Sequence, residues 1–219
     1  MSGALLAFEL AGRACTVALA SPQGTWQREF SEARGRALLA ETDALLRAAG
    51  VSRGDLRGIV AGTGPGSYTG LRIACAAARA LGWALGIPAA GLCSFEAAAL
   101  DAPLGHEQEV HLLLDAFRGE IYHAAYERRA DSVRVTVLPH LLHPEQIAAA
   151  VPPGARVIGD ARFVPHPIVL VADSSAPSAL ALLRLARARG ADFDGAGVAL
   201  LGAAEPLYLR PAAFRRPVE

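Results

Sequence analysis

Residues 62–70 read Gly62-Thr63-Gly64-Pro65-Gly66-Ser67-Tyr68-Thr69-Gly70. This glycine-rich loop follows a short apolar run over residues 59–61, typical of a buried strand, and precedes a helical pattern over residues 71–85. A loop between a strand and a helix often binds anions, because free backbone N–H groups at a helix start attract negative charge. The alternative is a tight turn in which Ser67 or Thr69 caps the helix and Pro65 fixes one φ angle between permissive glycines.

The known phosphate-binding and nucleophile templates do not fit the glycine-rich loop. A P-loop ends in Gly-Lys-Ser/Thr, and the chain contains no Lys. A dinucleotide-binding loop needs Gly three residues after its second Gly, where this sequence has Ser67 or Thr69. A nucleophile elbow needs Gly two residues before the Ser, and Pro65 stands there. Nucleotide contact is therefore only a secondary expectation for this loop.

The pattern around the loop predicts two similar lobes. Three strands, a helix, a strand and further helices are expected first, and a second set of three strands begins after the turn-rich residues 101–105. The expected strands are 5–10, 15–20, 25–30, 59–61, 110–114, 121–126, 133–138, 157–158 and 168–171, and the expected helices are 37–49, 71–85, 94–100 and one that Ser178 caps. This layout favours an α/β chain with two mixed sheets, of the actin-like ATPase (Hsp70/sugar-kinase, ribonuclease H-like) fold. We expect a first lobe over 1–102 and a second over 103–219, with the last residues packing back on the first.

Composition indicates a folded globular protein and argues against unaided binding to nucleic acid. The chain has 219 residues, of which 53% are hydrophobic and 19% charged, so it is long enough and apolar enough for real cores. Its 21 basic residues, all Arg, balance 21 acidic ones. A neutral chain lacks the basic surface with which a protein holds nucleic acid unaided, so a partner is expected to supply most of any nucleic-acid contact.

The sequence also argues against secretion, a membrane span and a metal site. The first residues carry neither a basic region nor a long apolar core, and no apolar stretch reaches spanning length, so a cytoplasmic protein is expected. Cys15, Cys75 and Cys93 form no Cys-x-x-Cys pair. His140 and His143 lie between prolines, which makes a helical metal-binding face improbable. We expect no metal site and no catalytic residue in this chain.

Two carboxylates near the middle of the chain form a candidate acid–base pair. Asp115 and Glu120 stand five residues apart around Gly119. The favoured interpretation is a hairpin that they flank, with Arg118 balancing their charge.

The helix after the loop is almost bare of bulky side chains. Small residues allow another helix or a sheet to approach closely. Arg72 and Arg79 share one face of this helix, with Trp83 one turn further along. The helix is therefore either an ordinary buried helix on a sheet or one that also packs against a second protein with Arg and Trp as anchors.

Four segments of the chain closely resemble the signatures of the TsaB (YeaZ) family. They follow one another across nearly the whole chain: residues 64–73 (GPGSYTGLRI), 87–97 (IPAAGLCSFEA), 114–122 (LDAFRGEIY) and 205–210 (EPLYLR). The resemblance implies an actin-like two-lobe fold and a part in placing a threonylcarbamoyl group on the tRNA adenosine next to the anticodon. In that family a paralogous subunit, TsaD, is catalytic and holds metal and nucleotide. TsaB pairs with it through the first two helices of its first lobe, and the ATPase TsaE joins them.

The resemblance therefore implies a non-catalytic accessory subunit. We expect TsaD-type and TsaE-type partners, indirect contact with tRNA, ATP or ADP only at the interface of the complex, and self-association as a homodimer when the chain is alone. The residues expected at the partner interface are Leu38, Leu45, Leu71, Arg72, Cys75, Ala78 and Arg79. The alternatives are a small ATP-dependent phosphotransferase and a metallopeptidase of the same superfamily.

This chain departs from the family pattern at two places that concern ligands. Family members usually have Asp at the position of Glu9, where related ATPases bind metal and nucleotide, and a common Arg at the position of Phe117. Both departures weaken an ancestral nucleotide site and leave the accessory role intact.

Overall fold

A computed structural model describes residues 3–12, 14–31, 37–105, 108–164, 169–173 and 177–210. Two five-stranded mixed sheets form its framework. The first sheet contains β1 (Ala4–Glu9), β2 (Ala14–Ser21), β3 (Gly24–Ser31), β4 (Leu56–Gly62) and β5 (Ala89–Leu92). Its order is β3-β2-β1-β4-β5, antiparallel from β3 to β1 and parallel from β1 to β5.

The second sheet repeats this topology. It contains β6 (Gln108–Asp115), β7 (Ile121–Arg128), β8 (Val133–Leu142), β9 (Arg156–Gly159) and β10 (Val169–Asp173). The order is β10-β9-β6-β7-β8, and again the first three strands are antiparallel while the last two run parallel to the first. The repeated order confirms the predicted α/β fold with two similar lobes and mixed sheets. The division at residue 102 stays a prediction.

The described residues form five α-helices. They are α1 (Leu38–Ala49), α2 (Tyr68–Leu85), α3 (Ser94–Leu100), α4 (Ile147–Ala150) and α5 (Ala179–Ala188). Side chains of β1 alternate between the two faces, so Leu6 and Phe8 pack with α1 and α2 while Leu5 and Ala7 pack with α5. Helix α5 thus comes from the last part of the chain but lies against the first sheet. Among the described residues, no helix is both long and apolar enough to cross a membrane.

Five of the residues expected at the partner interface are buried, and their place in an interface stays a prediction. The side chains of Leu38, Leu45, Leu71, Cys75 and Ala78 are all buried in the first lobe itself. Four of them (Leu38, Leu45, Cys75 and Ala78) lie on the apolar sides of α1 and α2 that pack against the first sheet, and Leu71 is equally buried. Only Arg72 and Arg79 of the expected set are exposed. The opposite side of α2 is therefore the side that faces solvent.

We predict that Ala78→Leu destabilises the chain by about 1–3 kcal/mol, because Ala78 is fully buried and a larger side chain overpacks the contact between α2 and the sheet. Ala76→Leu is the matched control, since Ala76 lies on the exposed side of the same helix. Urea unfolding measures both. Equal midpoints for the two variants would contradict this packing.

Candidate glycine-loop junction

The glycine-rich loop ends in a helix cap. The Ser67 hydroxyl accepts a hydrogen bond from the Gly70 N–H at 3.2 Å, and α2 begins at Tyr68. The Ser67 N–H donates in turn to the Ala11 carbonyl oxygen at 2.7 Å. Of the two interpretations of the loop, these bonds favour the tight turn, because the first turn of α2 has protein partners.

Two glycines allow the loop to touch the turn between β1 and β2. A Cβ on Gly66 would lie 2.5 Å from the Ala11 Cβ, and one on Gly70 would lie 3.0 Å from the Leu10 carbonyl carbon. Neither separation leaves room for a side chain. The glycines are thus required by backbone packing against residues 10–11.

Residues 93–94 hold the start of the loop. The Gly64 N–H donates to the Ser94 hydroxyl at 3.1 Å, and the Ser94 N–H donates to the Gly64 carbonyl oxygen at 2.9 Å. The Cys93 thiol donates to the same oxygen at 3.3 Å. Gly64 has a φ of +97°, a conformation that favours glycine.

The second lobe and the C-terminal segment close on the other side of the loop. The Tyr122 hydroxyl donates to the Gly66 carbonyl oxygen at 3.3 Å. The Leu207 N–H donates to the Thr63 carbonyl oxygen at 2.8 Å, and Arg210 forms an ion pair with Glu120. All four signature segments of the sequence therefore meet at one place, which we call the glycine-loop junction (residues 62–70, 93–94, 120–122 and 207–210).

An aromatic pair covers the outer side of the junction. The rings of Tyr68 and Tyr208 have centroids 4.8 Å apart, and both side chains are about half exposed. The Arg72 guanidinium lies 5.4 Å from the Tyr68 ring centroid and donates to its hydroxyl at 3.1 Å. This pair connects the start of α2 to the C-terminal segment.

Glu9 lies beneath the junction. Its side chain is fully buried; Oε1 accepts from the Ala11 N–H at 2.7 Å, and Oε2 has no hydrogen-bonding partner among the described residues. A Cβ on Gly62 would lie 2.6 Å from the Glu9 carboxyl carbon, so this carboxyl occupies the space beside Gly62. Burial raises the pKa of Glu9 to about 7, against the lowering effect of hydrogen bonds from Ser94 and the backbone.

A cleft of about 210 Å³ lies between the glycine-rich loop and the second sheet. Ala11, Gly12 and residues 65–67 line one side, and Asp115, Phe117, Asp160 and Arg162 line the other. Arg162 forms ion pairs with Asp160 and with Asp115, the latter at 3.5 Å, and these carboxylates raise its pKa. The charged groups of this cleft thus bind one another.

The hairpin between β6 and β7 is confirmed, but its charge balance differs from the prediction. Asp115 ends β6, Glu120 precedes β7, and Phe117 and Arg118 between them have φ angles of 59° and 57°. Arg162 and Arg210 pair with the two carboxylates, while Arg118 at the exposed tip pairs with neither among the described residues. Asp115 and Glu120 therefore serve in ion pairs that join chain segments.

Metal ligands do not converge in the described part of the chain. No group of three His, Cys, Asp or Glu side chains among those residues has a geometry that could hold a metal ion. His140 lies in β8 beside His123, and His143 follows that strand. These two histidines are therefore not neighbours in a shared site.

Comparisons with known proteins agree with this arrangement. The family model described as TsaD, tRNA N6-adenosine threonylcarbamoyltransferase, matches residues 19–179. An uncharacterized protein of Mycobacterium tuberculosis strain H37Rv is 34% identical over 176 residues, which are 80% of this chain and 71% of that protein. The tRNA threonylcarbamoyladenosine biosynthesis protein TsaB of Escherichia coli strain K12 is 28% identical over 149 residues, 64% of each chain. The structure of YeaZ from Pseudomonas aeruginosa superposes with a TM-score of 0.76 and 27% identity, covering 94% of this chain and 99% of that one.

The chain belongs to the TsaB (YeaZ) family. The four segments on which the resemblance was based are thus a single structural unit rather than separate sites. Within the family pattern, Glu9 in place of Asp lengthens the side chain, and Gly62 leaves the space that the longer side chain fills. Phe117 stands at the mouth of the cleft with its side chain partly exposed.

Tyr208 and Glu120 belong to the signature segments, but no pattern in the sequence connected them to the loop, because their partners lie far away in sequence. The exposed positions of α2 could be found from the sequence, because Ala76, Ala80 and Trp83 follow Arg72 at helical spacing.

We predict that Glu9→Gln removes one component of the pH dependence of stability. The folded state holds Glu9 neutral up to about pH 7, whereas the unfolded chain ionises it above its ordinary pKa of 4.5. The free energy of unfolding from this group therefore falls as pH rises from 4.5 to about 7, on the order of 3 kcal/mol in total. Urea unfolding between pH 4.5 and 8 measures the slope in both proteins. Glu29→Gln on the exposed strand β3 is the control, and parallel curves for wild type and Glu9→Gln would refute the assignment.

Proposed function

We propose that this chain is a non-catalytic accessory subunit in the biosynthesis of threonylcarbamoyladenosine in tRNA, and that it pairs with a TsaD-type catalytic subunit. One observation carries the proposal. The outer side of α2 presents a continuous exposed stripe, which we call the α2 outer face. Its members are Arg72, Ala76, Arg79, Ala80 and Trp83.

The α2 outer face has the composition of a helix-packing surface. Trp83 is 88% exposed, which is unusual for the largest apolar side chain. Ala76 and Ala80 leave the backbone accessible between Arg72 and Arg79, so a partner helix can approach closely there. Trp and Arg are the residues most often responsible for binding energy at interfaces, and here they flank a small-residue centre.

Helix α1 adds another exposed apolar side chain to the first lobe. Leu39 on its exposed side is 57% accessible, while Leu38 and Leu45 point into the lobe. We infer that the helices around residues 37–49 and 71–85 bind the partner through Leu39 and the α2 outer face. A second copy of this chain occupies the same surface when the partner is absent, because exposed apolar area favours burial.

The geometry beneath the junction supports a role without catalysis. An actin-like fold implies a nucleotide in the cleft between the lobes. Here the Glu9 carboxyl accepts from the Ala11 N–H and lies beside Gly62 inside the core, and the Ser67 N–H donates to the Ala11 carbonyl oxygen. The described residues thus fit ATP with magnesium poorly, since the acidic group and the turn are already bound to each other. We infer that ATP or ADP binds at the interface of the complex, that a TsaE-type ATPase joins it, and that tRNA contacts it mainly through the partner.

We predict that Trp83→Ala weakens binding to the TsaD-type partner of the same organism by about tenfold or more, since an exposed Trp at a helix interface contributes at least about 1.4 kcal/mol. Leu200→Ala is the matched control, because Leu200 is 87% exposed and lies outside α1 and α2. Isothermal titration gives the affinities, and thermal unfolding verifies that both variants keep the fold. Equal affinity for Trp83→Ala and wild type would place the interface elsewhere.

The same pair of variants tests the activator role. tRNA modification by the partner should require this chain and should fall with Trp83→Ala at limiting concentration but not with Leu200→Ala. Full activity of the partner without this chain would refute the proposal.

We predict that the isolated chain neither hydrolyses ATP nor releases phosphate in the presence of magnesium, whereas the assembled complex does. The phosphotransferase alternative predicts hydrolysis by the chain alone, and the metallopeptidase alternative predicts a bound metal and peptide cleavage. A phosphate-release assay with and without the partners separates these three functions, with elemental analysis of the purified chain as the second measurement.

A further inference from the structure

Three histidines form a hydrogen-bonded ladder across the second sheet, away from the glycine-loop junction. They are His111 on β6, His123 on β7 and His140 on β8. His111 and His123 are buried, and the register places His123 opposite His140. The ladder joins the three antiparallel strands of the second lobe side by side.

Four hydrogen-bonding links run along the ladder. His111 Nε2 lies 3.1 Å from Glu109 Oε1, and His111 Nδ1 lies 3.0 Å from His123 Nε2. His123 Nδ1 lies 3.4 Å from His140 Nε2, and His140 Nδ1 lies 2.8 Å from the Leu138 carbonyl oxygen. Every ring nitrogen of the three imidazoles therefore takes part in one of these links.

The number of protons decides what the ladder binds. Each link needs one proton between its two atoms, so the four links need four protons. A neutral imidazole carries one N–H, so three neutral rings supply only three. Both end groups, the Glu109 carboxylate and the Leu138 carbonyl, only accept hydrogen bonds. With all three rings neutral, one link therefore has an acceptor at each end and no proton between them.

We propose that the ladder is a proton-binding site, which takes up one proton beyond those of its neutral rings and balances it with the Glu109 carboxylate. The extra proton completes all four links whichever ring carries the charge. When His111 is charged, it donates to Glu109 and to His123. His123 then donates to His140, and His140 donates to the Leu138 carbonyl oxygen. A concerted shift of the protons within the two links between rings moves the charge to His140. The three rings then titrate as a unit rather than one by one.

The surroundings place the charge at the ends of the ladder. Burial and the two neighbouring rings lower the pKa of His123 to about 4, so the central ring stays neutral. Burial also lowers the pKa of His111, but Glu109 opposes that shift. The elements packed around the ladder add few charged groups. Strand β9 places Val157 beside His111, and α4 contains only Ile and Ala residues.

Beyond Glu109 lie Arg134 and Glu127, which pair with each other. The turn before α4 carries His143 and Glu145.

A metal ion fits this ladder less well than a proton. His123 uses one ring nitrogen towards His111 and the other towards His140, so three nitrogens do not converge on one point. Histidines that bind a metal ion direct one nitrogen each towards the same point.

Glu109→Gln tests the proton count directly. The Gln amide can donate to His111 Nε2, which supplies the missing proton and lets three neutral rings complete every link. We expect histidine ring NMR signals of the wild type to move together in one step of a single proton between about pH 5 and 7. In Glu109→Gln this step should move down by about one pH unit or more, and all three rings should be protonated at Nδ1 at pH 8, which ¹⁵N shifts identify.

Two comparisons make the result decisive. Glu29→Gln removes one exposed carboxylate from β3 and should leave the histidine titration unchanged. Glu109 is exposed, so its replacement does not disturb the core, and the far-ultraviolet circular dichroism of both variants should match wild type. Rings that titrate independently, a Glu109→Gln curve equal to that of wild type, or rings of that variant protonated at Nε2 would each overturn the proposal.

Discussion

The backbone of the glycine-rich loop touches the backbone of the turn between β1 and β2, and most of the molecule is arranged around that contact. Ser67 donates to the Ala11 carbonyl at 2.7 Å, while Gly66 and Gly70 leave no space for a side chain against residues 10–11. The contact fixes where α2 begins and how it lies on the sheet. It also presents the loop carbonyls to Tyr122 and Ser94, which bind the second lobe and α3 to the same point.

The same contact explains why a loop rich in glycine is a poor phosphate cradle here. An anion site needs free amide groups at a helix start, but those of Gly64, Ser67 and Gly70 donate to protein oxygens. The Ala11 amide donates to the chain's own Glu9 carboxyl. Internal hydrogen bonds therefore occupy these amide donors within the junction.

Much of the fold was predictable from the sequence, because strand and helix periods depend on local patterns. Strands β1 to β4 and β6 to β10 and the helices α1, α2, α3 and α5 were expected within a few residues. Strand β5 (Ala89–Leu92) was missed because Ala-Ala-Gly-Leu has no β-branched or aromatic residue, and its parallel pairing with β4 stabilises it instead. The junction was only partly predictable, since links such as Tyr68 with Tyr208 depend on the tertiary arrangement.

The small residues of α2 explain why residues of this helix that were expected at an interface are buried in the lobe itself. Gly82 and Ala78 on the inner side let the helix lie close to the sheet, where a Cβ on Gly82 would come within 2.9 Å of the Ala89 Cβ. Ala76 and Ala80 on the outer side are equally small but face solvent. Small residues occur on both sides of α2, so their presence alone does not distinguish a side that packs on the sheet from a side that faces solvent. Burial distinguishes the two sides. The exposed small residues Ala76 and Ala80 lie on the side that also carries Trp83 and two arginines.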